Sequence, residues 1–444
     1  MNLTSPLETL DDGFAWIESL TNFERKAVDK REYRLDRMRV ILEILDNPQN
    51  SLRIVHIAGS KGKGSTATMI ANQLHALGKR TALYTSPHVL DYRERIRMIG
   101  SGMPDSLLLQ GIRLLKLETT SPGSPLQQSA PTTFELLTAL FFWAAAAAKC
   151  EYAVVETGIG GRLDATNIAV SVEAAVCTSI ELEHTDILGD TIEKIAGEKA
   201  GIIKPGCPVY IGSLPPAAEQ IFQRRCTETG APLHRLADNA AVNFDTGHIR
   251  FTDGCRIHPA MQVLGSIQLE NAALAACVVR GIIPDAEIEA ISEGLSATRM
   301  LGRMQLIPGV PPIVIDGAHT VDSIKRYLSA IRTVMPAGGT VIFGAVQGKN
   351  IPGMVEELTS VFSRAIVCRP GSFKPSNPEA IAAEFRRILP PESVTIVEDA
   401  TAALEQAAEW TTDPGQGICI AGSFFLAGKI LRAIQGIEAT AEAV

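Results

Sequence analysis

A strand that breaks into a glycine-rich turn and resumes as a helix is the feature that most constrains this chain. Ile54–Ala58 is an apolar run rich in β-branched residues, which predicts a buried strand. The turn with Gly59, Gly62 and Gly64 follows it, and Ala67–Leu74 predicts a helix. Glycines let backbone N–H groups approach phosphate oxygens, and a helix N-terminus favours anions. The turn is therefore predicted to hold the phosphates of a nucleotide, with Lys63 reaching the outer ones.

The spacing inside this turn departs from the commonest pattern, G-x-x-x-x-G-K-[ST], because Gly64 separates Lys63 from Ser65. Glycine-rich turns between strands and helices are common, so the prediction depends on the two lysines, Lys61 and Lys63. The predicted phosphate-binding residues are Gly59, Ser60, Lys61, Gly62, Lys63, Gly64 and Ser65.

Length and composition limit the class of protein. At 444 residues, 46% of them hydrophobic, the chain exceeds what one core usually supports, so two domains are expected. A net charge of −8 without a long basic run argues against a nucleic-acid partner. Among the eight cysteines no two form a C-x-x-C pair, and four lie in apolar surroundings: Cys177, Cys277, Cys368 and Cys419. They predict buried free thiols in a reducing compartment, not disulfides or a zinc site.

No segment predicts export or membrane insertion. The first residues lack a charged stretch followed by an apolar one. The most apolar segment, Leu136–Ala148, is too short to span a bilayer, and its aromatic residues and alanines predict a helix buried against a sheet. We therefore expect a cytoplasmic protein with no membrane partner.

Two series of short apolar strands alternate with helices, a pattern typical of parallel sheets covered on both faces. The first series comprises Ile54–Ala58, Thr81–Thr85, Tyr152–Glu156, Ala174–Ser179 and Pro208–Ile211. The second comprises Ile313–Asp316, Thr340–Phe343, Ala365–Cys368, Val394–Val397 and Ile418–Ala421. Turn residues between Ala231 and Met261 predict an antiparallel appendage. The predicted fold class is α/β, with a P-loop-containing, doubly wound, mostly parallel sheet domain over 1–298 and a smaller Rossmann-like α/β domain over 299–444.

Polar side chains follow the strands of the first series, at the edge where doubly wound sheets bind ligands. Glu156 ends an apolar strand, where a carboxylate is costly to desolvate unless a cation matches it. With Ser86, and less firmly His184, it forms a candidate Mg²⁺ site, because this ion prefers oxygen ligands. The alternatives are a Ser86 that caps a helix, a Glu156 paired with Arg162, and a His184 hydrogen-bonded within a loop.

Other candidate residues admit two interpretations each. Lys199 lies on a predicted helix, where residue type favours a lysine that extends to solvent or pairs with Glu198. Asp316 follows a strand of the second series and could contact a ligand there; the alternative is that it caps the next helix. Arg303 lies where it could reach across a domain cleft; the alternative is an arginine exposed on the surface. Three histidines without a partner pattern are expected to be structural or exposed: His75, His234 and His248.

Seven motifs follow one another along most of the chain: His56–Ser65, Tyr84–His88, Glu94–Ile96, Glu156–Asn167, His184–Gly189, Glu198–Ile202 and Asp316–His319. Together they resemble the folylpolyglutamate synthases and bifunctional dihydrofolate synthases of the ATP-dependent Mur ligase superfamily. The glycine between Lys63 and Ser65 is typical of the folate branch.

The resemblance implies a monomeric ligase that adds L-glutamate to a folate or dihydropteroate carboxylate through an acyl phosphate, using ATP and two Mg²⁺ ions. It implies that the metal ligands are Ser86, Glu156, His184 and a carbamylated Lys199. For Lys199 this contradicts the interpretation from residue type, an exposed lysine or one paired with Glu198. The implied catalytic residues are Lys63, Lys199, His184 and Arg303. Further implied ATP contacts are Asn271, Arg303, Asp316 and His319. The implied pterin pocket is lined by Thr132, Thr133, Phe134, Glu135, Leu163, Asp164 and Ala165.

The chain departs from the family pattern at three positions. Thr320 stands where the family often has Asn, Ile267 where it often has His, and Asn350 where Asp is expected. These positions bear on nucleotide contacts rather than on the reaction class. Three other functions compete: a cell-wall precursor ligase acting on a UDP-muramoyl substrate, a P-loop switch or motor protein, and a non-catalytic nucleotide-binding module.

Overall fold

A computed structural model describes residues 7–21, 35–127, 130–261, 265–332, 334–371 and 375–436. The chain divides into two compact units. The first unit consists of Met1–His88, Tyr92–Ala260 and Leu269–Thr298. The second consists of Val89–Asp91, Met261–Gln268 and Arg299–Val444. The division after residue 298 coincides with the predicted boundary, but two short earlier segments group with the second unit.

The first unit is built on a seven-stranded sheet. Its strands are β1 Arg53–Ala58, β2 Thr81–Tyr84, β3 Ile96–Met98, β4 Tyr152–Glu156, β5 Ala174–Cys177, β6 Val209–Ile211 and β7 Leu233–Arg235. Their order is β3-β2-β4-β1-β5-β6-β7, and every neighbouring pair is parallel except β2 with β3. Because β1 is the central strand, the turn that follows it leaves from the middle of the sheet.

Helices cover this sheet. The helices that lie wholly or mostly in the first unit are α1 Leu10–Glu18, α2 Asp36–Ile44, α3 Lys63–Ala76, α4 Asp105–Thr120, α5 Thr133–Ala147, α6 Thr185–Leu188, α7 Ile192–Ala200, α8 Pro216–Thr229, α9 Leu236–Asn239, α10 Ser266–Ile282 and α11 Ile288–Ser296. Phe141 and Phe142 of α5 are fully buried in one core cluster with Ala153 and Val155 of β4. The predicted buried helix is thus confirmed.

A small antiparallel sheet follows α9. Its strands are β8 Ala240–Asn243, β9 His248–Phe251 and β10 Arg256–Ile257, in the order β10-β9-β8. Inward-facing Ile249 and Phe251 alternate with exposed His248 and Arg250 along β9, as expected for a sheet with one solvated face. The predicted antiparallel appendage is confirmed.

The second unit holds a six-stranded sheet. Its strands are β11 Gln305–Ile307, β12 Ile313–Ile315, β13 Gly339–Phe343, β14 Phe362–Val367, β15 Val394–Ile396 and β16 Gly417–Ala421. The order is β11-β12-β16-β13-β14-β15, parallel except for the antiparallel pair β11 and β12. The accompanying helices are α12 Val321–Ile331, α13 Ile351–Thr359, α14 Pro378–Arg386, α15 Ala400–Trp410 and α16 Phe424–Gln435. The two predicted series of α/β elements are therefore both present.

The cysteines agree with the expectation of buried free thiols. All eight cysteines are free thiols, and all but Cys255 are buried. Among the helices in the described ranges, none combines the length and the apolar character needed to cross a bilayer.

Candidate functional site

The glycine turn between β1 and α3 is held in place by the segment after β5. Gly59 has a φ of +150°, and a Cβ there would lie 1.9 Å from Thr178 Oγ1, so the position requires glycine. Thr178 Oγ1 donates to the Lys61 carbonyl over 2.6 Å. The Lys61 N–H donates to Ser179 Oγ over 3.0 Å, and the Ser60 N–H donates to the Ser179 carbonyl over 2.8 Å. These hydrogen bonds within the protein fix the conformation of the turn, and a loop fixed by the protein itself loses little entropy on binding a ligand.

Helix α3 begins directly at the end of this turn. Its N-cap, Gly62, has a φ of +80° and no side chain to cap the helix. The Thr66 N–H bonds back to the Gly62 carbonyl over 2.9 Å, and the earlier N–H groups of a helix have no intrahelical acceptor. Asn271 of α10 lies against the turn, because a Cβ on Gly62 would be 2.7 Å from its Oδ1. The structure thus puts Asn271, a predicted ATP contact, beside the predicted phosphate loop.

Two lysines meet at one carbonyl group of the turn. Lys63 Nζ donates to the Gly59 oxygen over 2.9 Å, and Lys199 Nζ donates to the same oxygen over 2.8 Å. Lys199 is only 1% exposed and also pairs with Glu183 at 2.8 Å. Burial and the nearby Lys63 lower the pKa of Lys199. Burial alone would raise the pKa of Glu183, but Lys199 and Lys63 together hold it below its usual value.

The interpretation of Lys199 from residue type was wrong. We expected an exposed lysine or a pair with Glu198, whereas Glu198 pairs with Arg162 over 2.8 Å. The loop after β4 packs so closely on α7 that a Cβ on Gly161 would lie 2.8 Å from the Glu198 carbonyl oxygen. This contact places Arg162 beside Glu198 and leaves Lys199 facing the phosphate loop. It also gives Arg162 a partner other than Glu156, against the alternative considered above.

Two of the predicted metal ligands are brought together by adjacent strands. Glu156 ends β4, is 3% exposed and accepts the Ser86 N–H over 2.9 Å at Oε2. His184 is the N-cap residue of α6, with a φ of +46°, and burial lowers its pKa, which favours the neutral imidazole that can bind a metal. A hydroxyl and a carboxylate are donors that suit Mg²⁺. Within the described ranges, no three His, Cys, Asp or Glu side chains are grouped to hold a metal ion, so the Ser86–Glu156–His184 set stays a prediction.

Residue patterns did not reveal a buried cation near Glu156. Arg97 of β3 donates from Nη2 to Thr68 Oγ1 at 3.4 Å, and its buried Nε has no hydrogen-bond partner among the described residues. Burial lowers the pKa of Arg97, and the fields of Glu94 and Glu156 oppose that shift. The sequence signal that could have revealed this buried cation is the position of Arg97, a charged residue within a strand of a sheet that helices cover. Glu183, Thr178 and Ser179 were also missed as supports of the phosphate loop.

The first predicted pterin-binding segment, at the start of α5, packs against the loop after β4. A Cβ on Gly158 would lie 2.6 Å from the Phe134 ring, so glycine permits this approach. Thr132 and Glu135 form a capping box at the start of α5. Glu135 is 4% exposed and pairs with buried Arg37 at 3.0 Å. The Glu135 carboxylate therefore anchors the helix, and Phe134 is the residue of this segment that contacts the other loop.

Asp164, in the second predicted pterin segment, organises its own loop. Its carboxylate accepts the N–H groups of Ile159 over 2.9 Å and of Thr166 over 3.0 Å. It also accepts the Thr166 hydroxyl over 2.5 Å, and that hydroxyl lies 2.8 Å from Nε2 of buried His56. Burial raises the pKa of Asp164, although these hydrogen bonds oppose the shift. Leu163 and Ala165 flank this anchored carboxylate in the chain.

In the second unit, three predicted ATP contacts lie at the end of β12 and around Phe424. Asp316 Oδ2 accepts the Met304 N–H over 2.8 Å, and burial raises the pKa of Asp316 to about 6. The guanidinium carbon of Arg303 lies 4.8 Å from the Phe424 ring centre. The His319 ring lies 6.3 Å from the same ring, edge-on. Their role toward ATP stays a prediction.

Two of the departures from the family pattern cap helices. Thr320 Oγ1 accepts the Ser323 N–H at the start of α12, and Asn350 Oδ1 accepts the Gly353 N–H at the start of α13. Ile267 is 38% exposed near the start of α10. The lone histidines behave as expected: His75 and His248 are exposed, and His234 stacks on Tyr210 at 4.8 Å.

Family comparisons agree with this geometry. Residues 57–279 match the Mur ligase middle domain, and residues 302–424 match the domain described as Mur ligase, glutamate ligase domain. The parallel sheet, the glycine turn at its carboxyl edge and these matches define an ATP-dependent ligase of the Mur type.

Individual relatives narrow this class. The folylpolyglutamate synthase of Lacticaseibacillus casei is 32% identical over 411 residues, which cover 90% of this chain and 94% of that protein. A Mycobacterium tuberculosis folylpolyglutamate synthase solved with ADP and AMPPCP has a TM-score of 0.82 at 29% identity, covering 91% of this chain and 95% of its own. An Escherichia coli FolC solved with DHPP and ADP has a TM-score of 0.82 at 25% identity, covering 98% and 99%. The chain belongs to the folylpolyglutamate synthase and dihydrofolate synthase family, which confirms the predicted family, fold and ligase class.

Proposed function

We propose that the chain, as a monomer, uses ATP to join L-glutamate to the carboxylate of a reduced folate, of dihydropteroate, or of both. The observation that carries this proposal is the preorganised turn at the end of β1, where Lys63 and Lys199 converge on the Gly59 carbonyl. The Lys63 ammonium group beside the N–H groups that begin α3 suits the triphosphate of ATP, whereas Lys199 is assigned to the metal below.

The reaction has two balanced steps. A carboxylate oxygen of the pterin substrate attacks the γ-phosphorus of ATP, the bond to the bridging oxygen breaks, and ADP leaves an acyl phosphate. The amine nitrogen of glutamate then attacks the acyl carbon, inorganic phosphate leaves with the bonding electron pair, and the nitrogen loses a proton. Two anions meet in the first step, so positive charge placed beforehand lowers the barrier.

Each candidate residue receives a role in this scheme. Lys63 leaves the Gly59 carbonyl and binds the outer phosphates, while the N–H groups that begin α3 bind the inner ones. Ser86, Glu156 and His184 would hold Mg²⁺, which when bound would neutralise phosphate charge. The remaining residues proposed to contact ATP are Asn271, Arg303, Asp316 and His319.

Lys199 is proposed to act as a carbamate. Only a neutral amine reacts with carbon dioxide, and burial favours the neutral form of Lys199. The amine nitrogen bonds to the carbon of carbon dioxide and loses a proton, so the neutral amine becomes an anion and the contact with Glu183 must open. The freed carbamate would then offer a further oxygen ligand to a bound Mg²⁺ ion.

The pterin ring is assigned to the surface around Phe134 and Gly158. An aromatic side chain beside a glycine offers a flat apolar contact for a planar ring. Asp164 and Glu135 support this surface through their loop and helix anchors rather than by direct contact.

An ADP-release assay with ATP, Mg²⁺ and L-glutamate tests the proposal. Dihydropteroate and tetrahydrofolate are compared as acceptors, and a UDP-muramoyl substrate serves as the matched alternative for a cell-wall ligase. We expect release that depends on both glutamate and a pterin acceptor. ADP release without glutamate, or with the UDP-muramoyl substrate alone, would contradict the proposal.

A further inference from the structure

A cavity of about 400 Å³ lies beside α7 and α8, lined by Arg162, Gly197, Ala200, Gly201, Ile221, Arg224, Arg225 and Glu228. None of these residues belongs to the ATP, metal or pterin assignments above. Three of them are arginines, in a chain whose net charge is −8. The cavity therefore concentrates positive charge locally.

The acidic neighbours leave much of this charge available. Arg162 pairs with Glu198 at 2.8 Å, but the Arg162 side chain is 54% exposed. Arg225 and Glu228 are 3.6 Å apart and both more than a third exposed. Arg224 makes no ion pair among the described residues. Exposed pairs of this kind are weak, so an incoming anion can compete for the guanidinium groups.

Gly197, in the middle of α7, borders open space in the cavity. A Cβ on Gly197 would meet no atom within 4 Å, so no packing contact demands glycine there. Glycine inside a helix costs stability relative to alanine. Gly201 differs, because a Cβ there would lie 2.4 Å from the Arg162 Cβ. The cavity is thus lined by one glycine that packing requires and another, Gly197, beside which there is room for a side chain.

The cavity is distinct from the phosphate loop. Gly197, Ala200 and Gly201 are spaced three and four residues apart, so they share one face of α7 and its C-terminal turn. Lys199 leaves the helix on the other side, where it donates to Gly59. A ligand in the cavity would therefore lie behind α7 rather than beside the triphosphate.

We propose that this cavity binds a small ligand carrying two or more closely spaced carboxylate or phosphate groups. Guanidinium forks match both groups through paired hydrogen bonds, and the volume suits a small molecule. Two sources share this chemistry: a γ-linked glutamate chain, which the proposed function would produce, and a phosphate compound.

Calorimetric titration of the full chain separates the two sources. The probes are tri-γ-L-glutamate and pyrophosphate, each added to protein saturated with Mg²⁺ and AMPPCP so that the phosphate loop is filled. We expect at least one probe to bind. The double variant Arg224→Ala/Arg225→Ala should weaken that binding at least tenfold, whereas Arg387→Ala, which removes the charge of an exposed arginine in the second unit, should change it less than twofold.

A second pair of variants tests the space instead of the charge. Gly197→Leu should fill the cavity and abolish binding, while Gly197→Ala, its matched control, should retain it; circular dichroism checks that both fold. Binding of tri-γ-L-glutamate alone identifies the carboxylate source, and binding of pyrophosphate alone the phosphate source. Absence of binding by both probes, or equal binding by wild type and the folded Gly197→Leu variant, overturns the proposal. None of these binding measurements requires ligase activity. A failure of the proposed function would therefore be detected separately, by the ADP-release assay.

Discussion

Lys63 and Lys199 donate to the same acceptor, the carbonyl oxygen of Gly59, over 2.9 and 2.8 Å. Two like charges at one oxygen repel each other, and Glu183 compensates Lys199 directly at 2.8 Å. An anion at the turn, or the conversion of Lys199 to an anion, would relieve the repulsion. This relationship makes the two lysines separable by experiment, because Lys63 is assigned to phosphate and Lys199 to the metal.

Replacing Lys63 by alanine should remove the charge that reaches the transferred phosphoryl group. We expect glutamate-dependent ADP release to fall about 10²- to 10³-fold, the usual effect of losing one preorganised donor. Lys194→Ala on α7 is the matched control, because Lys194 is exposed and pairs with Asp190. Turnover close to wild type in a folded Lys63→Ala protein would count against the phosphate assignment.

Replacing Lys199 by alanine should inactivate the enzyme, and a small added carboxylate should partly restore activity. The reason is that the side-chain carbamate is proposed to act as a carboxylate within a buried space. ADP release with and without added formate or acetate measures the rescue. Full activity of the variant without rescue would exclude the carbamate role, and Lys63→Ala, which lacks a different group, should not respond to the added acid.

Breaking the buried ion pair between Arg37 and Glu135 should destabilise the first unit. Arg37→Met leaves the Glu135 carboxylate buried without its cation, and such losses cost about 3–5 kcal/mol. Arg93→Met removes an exposed arginine paired with Asp105, so it should cost less than about 1 kcal/mol. Urea unfolding followed by circular dichroism compares the two, and equal midpoints would show that the buried pair contributes little.

Acid should destabilise the protein through His56. Burial, helped by Lys204, lowers the pKa of His56 to about 3, below the value near 6.5 of an unfolded chain. Between these values the unfolded chain binds a proton that the folded protein does not. The free energy of unfolding should therefore fall as pH falls below 6.5, by about 1.4 kcal/mol per pH unit from this group.

His56→Gln provides the control, because glutamine can still hydrogen-bond to Thr166 but does not titrate. Urea unfolding at pH 7.5, 6.5 and 5.5 should show a shallower pH dependence for the variant. Parallel curves for the variant and the wild type would contradict a buried neutral His56, whatever the absolute stability of the variant.

Sequence patterns anticipated the elements of the sheets better than the supports of the site. Apolar runs located β1 and β4 because strands buried on both faces need continuous apolar side chains. Glu156 was found because a carboxylate at the end of such a strand is conspicuous. Glu183 was missed, since nothing in its neighbourhood indicates that it faces Lys199, which lies sixteen residues further along.

Residue types and their spacing alone determined that this chain makes two α/β units and carries a glycine turn suited to phosphate, because those features depend on local periodicity and backbone freedom. Only the tertiary structure decided that Lys199 is buried and donates to the Gly59 carbonyl, and that Glu135 forms an ion pair with Arg37. Those partners come from elements far apart in the chain, and packing rather than local preference sets which charges meet. The same packing decided that Gly197 opens onto a cavity lined by arginines.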